Sequence, residues 1–187
     1  MRGLGHGSVL QNLEMAMSEE SKIKEGWTGR FYENFEVGDV YRYPNGRTVT
    51  ETDNAMFTHL TMNTNPLHFD AELAKRTKWE RILVNSTFTL SLIVGMSVQD
   101  VSQNAMANLG WEEVKLPNPV FIGDTLYSET AVLSKRESRT YPEAGIIQVR
   151  SRGINQDGKV VIDLKRSVMV YKKDSAPGEG MFPEVVE

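Results

Sequence analysis

Cysteine is absent from this chain, which excludes a disulfide framework and a thiolate nucleophile. The same absence suits a reducing environment, so we expect a cytoplasmic protein. No segment approaches the roughly 20 consecutive apolar residues of a membrane-spanning helix, and the first residues lack the apolar region of a secretory signal. The net charge of −4 and the lack of basic runs with interleaved aromatic residues disfavour nucleic acid as a partner.

Histidine is scarce, with three copies among 187 residues. The three are scattered and follow no metal-ligand spacing, so we expect no bound metal. A site built from His59, His68 and Asp70 is the less favoured alternative.

The remaining composition is that of a globular domain, with 40% hydrophobic and 25% charged residues. We expect the folded domain at residues 26–173. A flexible arm at residues 1–25 would precede it, and a disordered tail at residues 174–187, rich in Pro, Gly and Glu, would follow it.

Helical periodicity marks three segments. Residues 85–103 form the longest, and its apolar side chains surround most of the helix, which indicates burial. Shorter helices are predicted at residues 52–60, with Thr52 as the N-cap, and at residues 69–76, with Asp70 as the N-cap.

Strand patterns dominate the second half of the chain. Earlier, Asn45-Gly46 predicts a type I′ hairpin between residues 41–43 and 47–50. A buried helix followed by antiparallel strands predicts an α+β fold with a sheet wrapped around the helix, one of several α+β options. The period-two segments that follow the long helix are residues 114–116, 126–135, 146–154 and 159–171.

Two motifs carry the functional signal. Thr61-Met-Asn-Thr-Asn-Pro-Leu-His68 puts a histidine on a proline-bent loop, and Leu116-Pro-Asn-Pro-Val-Phe-Ile-Gly-Asp124 predicts an apolar strand that ends in a Gly-Asp turn. Together they resemble the MaoC-like family of (R)-specific enoyl-CoA hydratases and dehydratases, and most closely its mesaconyl-CoA hydratase (β-methylmalyl-CoA dehydratase) branch. The resemblance implies a single hot-dog fold, an antiparallel sheet around a long central helix.

The resemblance also implies that His68 is catalytic, since an imidazole can both take a proton from water and protonate C2. Asn63 stands where the family has a catalytic aspartate, and Met62 where it has glycine. Asparagine can orient a water molecule but cannot take its proton. Three explanations stay open: His68 carries out both transfers, the site binds acyl-CoA without turnover, or another carboxylate such as Asp53 or Asp70 reaches in.

The start of the long helix forms the second part of the predicted site. The family has glycine where Ser86 stands, and the resemblance implies that the Ser86 amide binds the thioester oxygen at a helix N-terminus. Asn65, Asn85 and Arg81 are the predicted substrate-binding residues. Arg81, or alternatively Arg47, would pair with an acidic acyl group.

The predicted activity is the addition or removal of water across the C2=C3 bond of an enoyl-CoA thioester, without cofactor or metal. The acyl group would be a short branched C4–C5 unit such as mesaconyl-CoA or β-methylmalyl-CoA. The alternatives are an acyl-CoA thioesterase, disfavoured because residues 85–99 carry no carboxylate, and a catalytically impaired acyl-CoA-binding protein. Besides the acyl-CoA substrate, the expected partner is a second copy of the chain, in a homodimer or higher homo-oligomer that covers a sheet edge.

Overall fold

The computed structural model describes residue 22, residues 24–178 and residue 183. Most of the predicted N-terminal arm and the end of the predicted C-terminal tail lie outside the described residues. The domain boundaries at residues 26 and 173 therefore stay predictions. In the described part, no helix has the length and apolar character needed to cross a bilayer.

A six-stranded antiparallel sheet forms most of the domain. The strand order is β1-β4-β5-β6-β3, with β2 also paired to β4, so β3 lies at one edge. The long strands alternate between side chains buried on the inner face and side chains turned outward. The strands are β1 Val40–Arg42, β2 Arg47–Thr48, β3 Ala105–Lys115, β4 Thr125–Glu137, β5 Ala144–Asn155 and β6 Val160–Tyr171.

The sheet wraps around one buried helix, as the sequence predicts. In the described chain the helices are α1 Glu51–Leu60, α2 Ala71–Ala74 and α3 Ser86–Met96. On α3, Ile93 is fully buried in the core that the sheet encloses. Gly153 of β5 permits this close packing, because a Cβ atom there would lie 2.6 Å from Ile93 Cγ1. The predicted α+β architecture is confirmed.

The central helix is shorter than the predicted residues 85–103. Its α-helical part ends at Met96, and the chain continues as a π-helical turn over Val98–Ser102. Buried Arg166 of β6 donates from Nη2 to Ser97 Oγ, 3.1 Å away, at this end. Burial lowers the pKa of Arg166 to about 10, so the guanidinium stays charged at neutral pH. A positive charge is favourable at a helix C-terminus.

The predicted hairpin at Asn45-Gly46 is wrong. β1 and β2 do not pair with each other; both pair with β4, one after the other along its length. Gly46 has a different reason to be glycine, because a Cβ atom there would lie 2.7 Å from the Tyr127 ring. The residue permits a close approach instead of a type I′ turn.

Two other predictions are corrected at element boundaries. The N-cap of α1 is Thr50 and not Thr52; its hydroxyl accepts a hydrogen bond from Asp53 N, and Asp53 Oδ2 accepts one from Thr50 N. The strand expected at residues 114–116 is the end of the longer strand β3. Three register shifts and exposure at the sheet edge disturb the alternation of buried and exposed residues along β3. Asp70 is confirmed as the N-cap of α2.

The segment expected to be an apolar strand at residues 116–124 is mostly irregular. It forms one isolated bridge, between Leu83 and Phe121. Pro117 and Pro119 have no amide hydrogen to donate to a ladder, which explains why no strand develops. The predicted turn is present, with Gly123 at a φ of 93°.

Candidate active site

His68 ends a short 3₁₀ turn, Pro66–His68, and is only 8% exposed. Its Nδ1 atom lies 2.8 Å from the carbonyl oxygen of Leu83. Because a carbonyl oxygen only accepts hydrogen bonds, Nδ1 carries the proton and donates it. In the neutral ring, Nε2 then keeps its lone pair, which is the state that a general base requires.

Two asparagine side chains shape the loop that leads to His68. Asn63 Oδ1 accepts from Asn65 N at 3.0 Å, and Asn65 Oδ1 accepts from Leu67 N at 3.1 Å. Each side chain thereby folds back on its own backbone, as turn asparagines do. A carbonyl oxygen has two lone pairs, so Asn63 Oδ1 retains capacity to accept from a water molecule.

Met62 has a left-handed backbone, with a φ of 54°. It stands at the motif position where the resembled family has glycine, the residue that adopts this conformation without a steric penalty. The glycine of the motif is therefore explained by backbone geometry, and the loop keeps that geometry here with a methionine.

A buried side chain that lies outside both sequence motifs connects this loop to α3. Asn54 of α1 is 1% exposed. Its Nδ2 donates to the His68 carbonyl oxygen at 2.7 Å, and its Oδ1 accepts from Asn85 N at 2.9 Å. Asn85 Nδ2 in turn donates to Thr58 Oγ1 at 3.3 Å. Little in the sequence marks Asn54, because both buried residues of α1, Asn54 and Thr58, are polar.

Asn85 and Ser86 begin the central helix as predicted. Asn85 is the N-cap, and its Oδ1 accepts from Thr87 N at 3.0 Å. Ser86 is the first helical residue, so its amide is one of those that have no partner inside the helix. Asn85 is therefore mainly a capping residue in this structure.

A cleft of about 220 Å³ opens beside the N-terminus of α3. Ser86 lines it, and so does Leu83, whose carbonyl holds the His68 ring. His68, Asn63 and Asn65 do not line the cleft, so the imidazole is linked to it through Leu83. Its lining residues are Trp79, Leu83, Val84, Ser86, Thr89, Leu116, Pro117, Asn118, Pro119 and Val120.

The two predicted arginines do not line this cleft. The Arg81 guanidinium carbon lies 3.6 Å from the centroid of the Phe121 ring, and Arg81 lines a neighbouring groove with Lys75. Arg47 forms an ion pair with Asp53, at 2.8 Å. Among the described residues, those that line the Ser86 cleft include no cation.

The carboxylates named as substitutes for the missing aspartate are engaged elsewhere. Asp53 belongs to the N-cap of α1; burial alone would raise the pKa of its carboxyl, but hydrogen bonds from Thr50 and the charge of Arg47 hold that pKa below its usual value. Asp70 Oδ1 accepts from two amides at the start of α2. In the described chain, no His, Cys, Asp and Glu side chains group as a metal site, so His59, His68 and Asp70 do not form one.

One edge of the sheet exposes large apolar side chains. They lie on β3 and just after it, and Leu116 also lines the Ser86 cleft. This edge and the candidate site are therefore continuous. The exposed residues are Leu109, Trp111, Val114 and Leu116, each between 41% and 48% exposed.

The fold is that of the hot-dog proteins. A protein from Mycobacterium tuberculosis that has a double hotdog fold matches this chain with a TM-score of 0.73 and 24% identity. The match covers 81% of this chain and 47% of that protein. The MaoC-like domain model matches residues 33–151, and the chain belongs to this family.

Curated relatives carry related names. Mesaconyl-CoA hydratase from Cereibacter sphaeroides is 35% identical over 148 residues, which cover 79% of this chain and 43% of that protein. Beta-methylmalyl-CoA dehydratase from Chloroflexus aurantiacus is 34% identical over 159 residues, which cover 84% and 45%. The chain spans about half the length of these curated relatives. The resemblance that the two motifs predict is confirmed.

Proposed function

We propose that this protein adds water to, or removes water from, the C2=C3 bond of an enoyl-CoA thioester. The observation that carries the proposal is the hydrogen bond from His68 Nδ1 to the Leu83 carbonyl, which leaves Nε2 free to accept a proton near the start of α3. The names of the hydratase and dehydratase relatives support the same reaction.

In the hydration direction, His68 Nε2 takes a proton from water while the water oxygen forms a bond to C3 of the substrate. The C2=C3 electron pair moves toward the thioester, and negative charge develops on the thioester oxygen. The Ser86 amide and the positive end of the α3 dipole stabilise that charge. Protonated His68 then returns a proton to C2, so protons balance and the chemistry needs no cofactor.

Of the three explanations for Asn63, we propose that His68 carries out both proton transfers and that Asn63 orients the water. Asn63 Oδ1 is anchored by the amide of Asn65, which gives it a fixed direction. Asp53 and Asp70 are both held at helix N-termini, which argues against a substitute carboxylate.

The proposed substrate is a short acyl-CoA, with mesaconyl-CoA and β-methylmalyl-CoA first in line because of the relatives' names. A cleft of about 220 Å³ suits a small acyl group. The described lining of the cleft has no cation, so the thioester oxygen at the helix N-terminus is the one anionic group that this cleft is proposed to stabilise. Arg81 remains available, next to the cleft, for the phosphates of CoA.

We also propose that the chain works as a homodimer whose two copies pair along β3. The relatives are about twice as long as this chain, and the M. tuberculosis protein has two hot-dog units. A second copy would supply a second hot-dog unit and cover the apolar edge of β3. Because Leu116 lies on both that edge and the cleft, the partner would also border the site.

The test is a spectrophotometric assay of the full chain with mesaconyl-CoA and crotonyl-CoA. We expect the enoyl-thioester absorbance to fall, and His68→Gln to lower kcat by at least about 10²-fold, the scale of a lost general acid–base. His59→Gln is the matched control, because His59 only stacks on Phe69, 5.4 Å between ring centroids, and should keep full activity.

Other outcomes would contradict the proposal. Release of free CoA without loss of the double bond would indicate a thioesterase, although α3 has no acidic residue in its first turn. Measurable binding of both thioesters without turnover by the wild-type protein would indicate an acyl-CoA-binding protein instead.

A further inference from the structure

We propose that Asn54 is a positioning residue that fixes the general base relative to the oxyanion-binding amide, an inference that rests on the proposed function. Asn54 lies on α1 and touches neither the cleft nor the reacting atoms. Its side chain instead holds the backbone on both sides of the candidate site, at His68 and at Asn85.

The argument starts from the contact that orients the imidazole. That contact joins His68 Nδ1 to the Leu83 carbonyl oxygen. Asn54 Nδ2 holds His68 through its carbonyl oxygen, and Asn54 Oδ1 holds the amide of Asn85, two residues after Leu83. The Asn54 carboxamide therefore holds the backbone near both the donor and the acceptor of the His68–Leu83 hydrogen bond.

The same hydrogen bonds also position the second group of the proposed mechanism, the oxyanion-binding amide. Asn85 is the N-cap of α3, and the next residue, Ser86, carries the amide proposed to bind the thioester oxygen. Asn54 thus connects the backbone of the proton-transfer residue to the backbone next to the oxyanion-binding amide. Both groups must keep their positions to within a fraction of an ångström for efficient catalysis.

The chemistry of asparagine matches this task. The position must donate one hydrogen bond, to a carbonyl, and accept another, from an amide. A carboxamide does so from two separate atoms of one planar group, which lets it reach two backbone groups at once. Asn54 is itself well anchored: it is 1% exposed, and its backbone amide donates to Thr50 O at 3.3 Å inside the first turn of α1.

Three variants test the proposal. Asn54→Asp keeps the shape and the acceptor for Asn85 N but loses the donor to His68 O. Asn54→Ala loses both bonds. Asn155→Ala is the matched control, because Asn155 is also buried and its side chain also bonds two backbone groups, here the amides of Asp157 and Lys159 in the turn between β5 and β6.

We expect both Asn54 variants to lower kcat by about 10- to 100-fold with little change in KM, since a misplacement of about 1 Å can cost 10²-fold. Asn155→Ala should lose thermal stability to a similar extent as Asn54→Ala and keep the wild-type kcat. If the Asn54 and Asn155 variants lose turnover equally at equal loss of melting temperature, Asn54 has only a structural role and the proposal fails.

A second readout does not depend on substrate. Nitrogen-15 chemical shifts of the histidine side chains distinguish the Nδ1–H from the Nε2–H tautomer, and His68→Gln assigns the signal among the three histidines. We expect a dominant Nδ1–H tautomer in the wild type and a mixture in Asn54→Asp and Asn54→Ala. An unchanged tautomer in both variants would overturn the positioning role. Absence of wild-type turnover would contradict the proposed function and leave this readout intact.

Discussion

In the loop before His68, the same few residues hold the backbone turn and serve the proposed chemistry. Asn63 closes a turn by accepting from Asn65 N, while its oxygen keeps capacity for a further donor. An aspartate at this position would close the same turn, because a carboxylate oxygen also accepts from an amide. Asparagine in place of aspartate therefore preserves the loop, and in the proposed mechanism it leaves His68 as the one proton acceptor.

Two variants of Asn63 test whether its role in the loop structure is separate from proton transfer. Asn63→Asp should keep the melting temperature and at least the wild-type kcat, because the turn survives and a second proton acceptor is added. Asn63→Ala should lower kcat by far less than His68→Gln, because it removes a water contact and a turn bond but no proton-transfer group. The measurement is kcat with the preferred enoyl-CoA.

A drop in Asn63→Ala as large as that in His68→Gln would contradict the assignment of both proton transfers to His68. A complete loss in Asn63→Asp would show that the site depends on a neutral side chain at this position.

The sequence predicts the site residues that belong to a motif or to a helix start. The loop motif marks His68, and the Asn85 cap lies next to the helix it begins. Asn54 belongs to neither, and its hydrogen bonds reach across 14 residues to His68 and 31 residues to Asn85. No local pattern encodes such a bond, and it becomes visible only when α1, the loop and α3 are packed together.

At the scale of elements, an ion cluster joins three strands on the outer face of the sheet. Glu129 of β4 is 9% exposed and pairs with Arg42 of β1, at 3.1 Å, and with Arg152 of β5. Burial alone would raise the pKa of Glu129, but the hydrogen bonds and charges of the two arginines hold it below its usual value. The cluster thereby fastens the short β1 to the long strands.

A depressed glutamate pKa has a defined consequence for stability. The contribution of Glu129 is fully present above the unfolded-state pKa of about 4.3 and is lost as pH falls through the lower folded-state pKa. Glu129→Gln should therefore lower the free energy of unfolding by about 1–3 kcal/mol at pH 7. The difference from wild type should shrink toward pH 3, as measured by urea denaturation at several pH values.

Glu137→Gln is the control, because Glu137 pairs with Lys172 at the surface and its side chain is 62% exposed. Its effect should stay below about 1 kcal/mol at every pH. A Glu129→Gln effect that does not depend on pH would contradict the ionic origin of the cluster's contribution.

The elements that the sequence predicts well are those with strong internal periodicity, such as α3 and strands β4 to β6. β1 and β2 lie close to the strands predicted at residues 41–43 and 47–50, but their pairing is predicted wrongly, and only the end of β3 is predicted, because the structure of these strands depends on a neighbour. β1 and β2 are short and take their alignment from β4, so the turn residues between them suggested a hairpin that does not form. β3 lies at the edge of the sheet, where its residues are partly exposed on both faces. Buried and exposed residues therefore do not alternate along this strand.

For the whole molecule, the edge of β3 is an exposed apolar surface that borders the candidate site. An uncovered apolar edge strand favours association with another chain. Trp111 is 48% exposed there. If the chain forms the proposed homodimer, Trp111→Glu should shift it to the monomer in size-exclusion chromatography with light scattering, since a charge replaces a large apolar contact.

Tyr141→Glu provides the control, because Tyr141 is similarly exposed, at 45%, but lies in the turn between β4 and β5. It should leave the mass unchanged. A Trp111→Glu protein that remains dimeric would move the interface away from this part of β3.

The close approach at Gly46 also links the substitutions that the chain can accept at three positions. A Cβ atom at position 46 would lie 2.7 Å from the Tyr127 ring and 2.8 Å from the Thr125 methyl group. A side chain at position 46 therefore requires both neighbours on β4 to move aside or to become smaller. We expect the tolerance for a larger residue at position 46 to depend on which residues occupy positions 125 and 127.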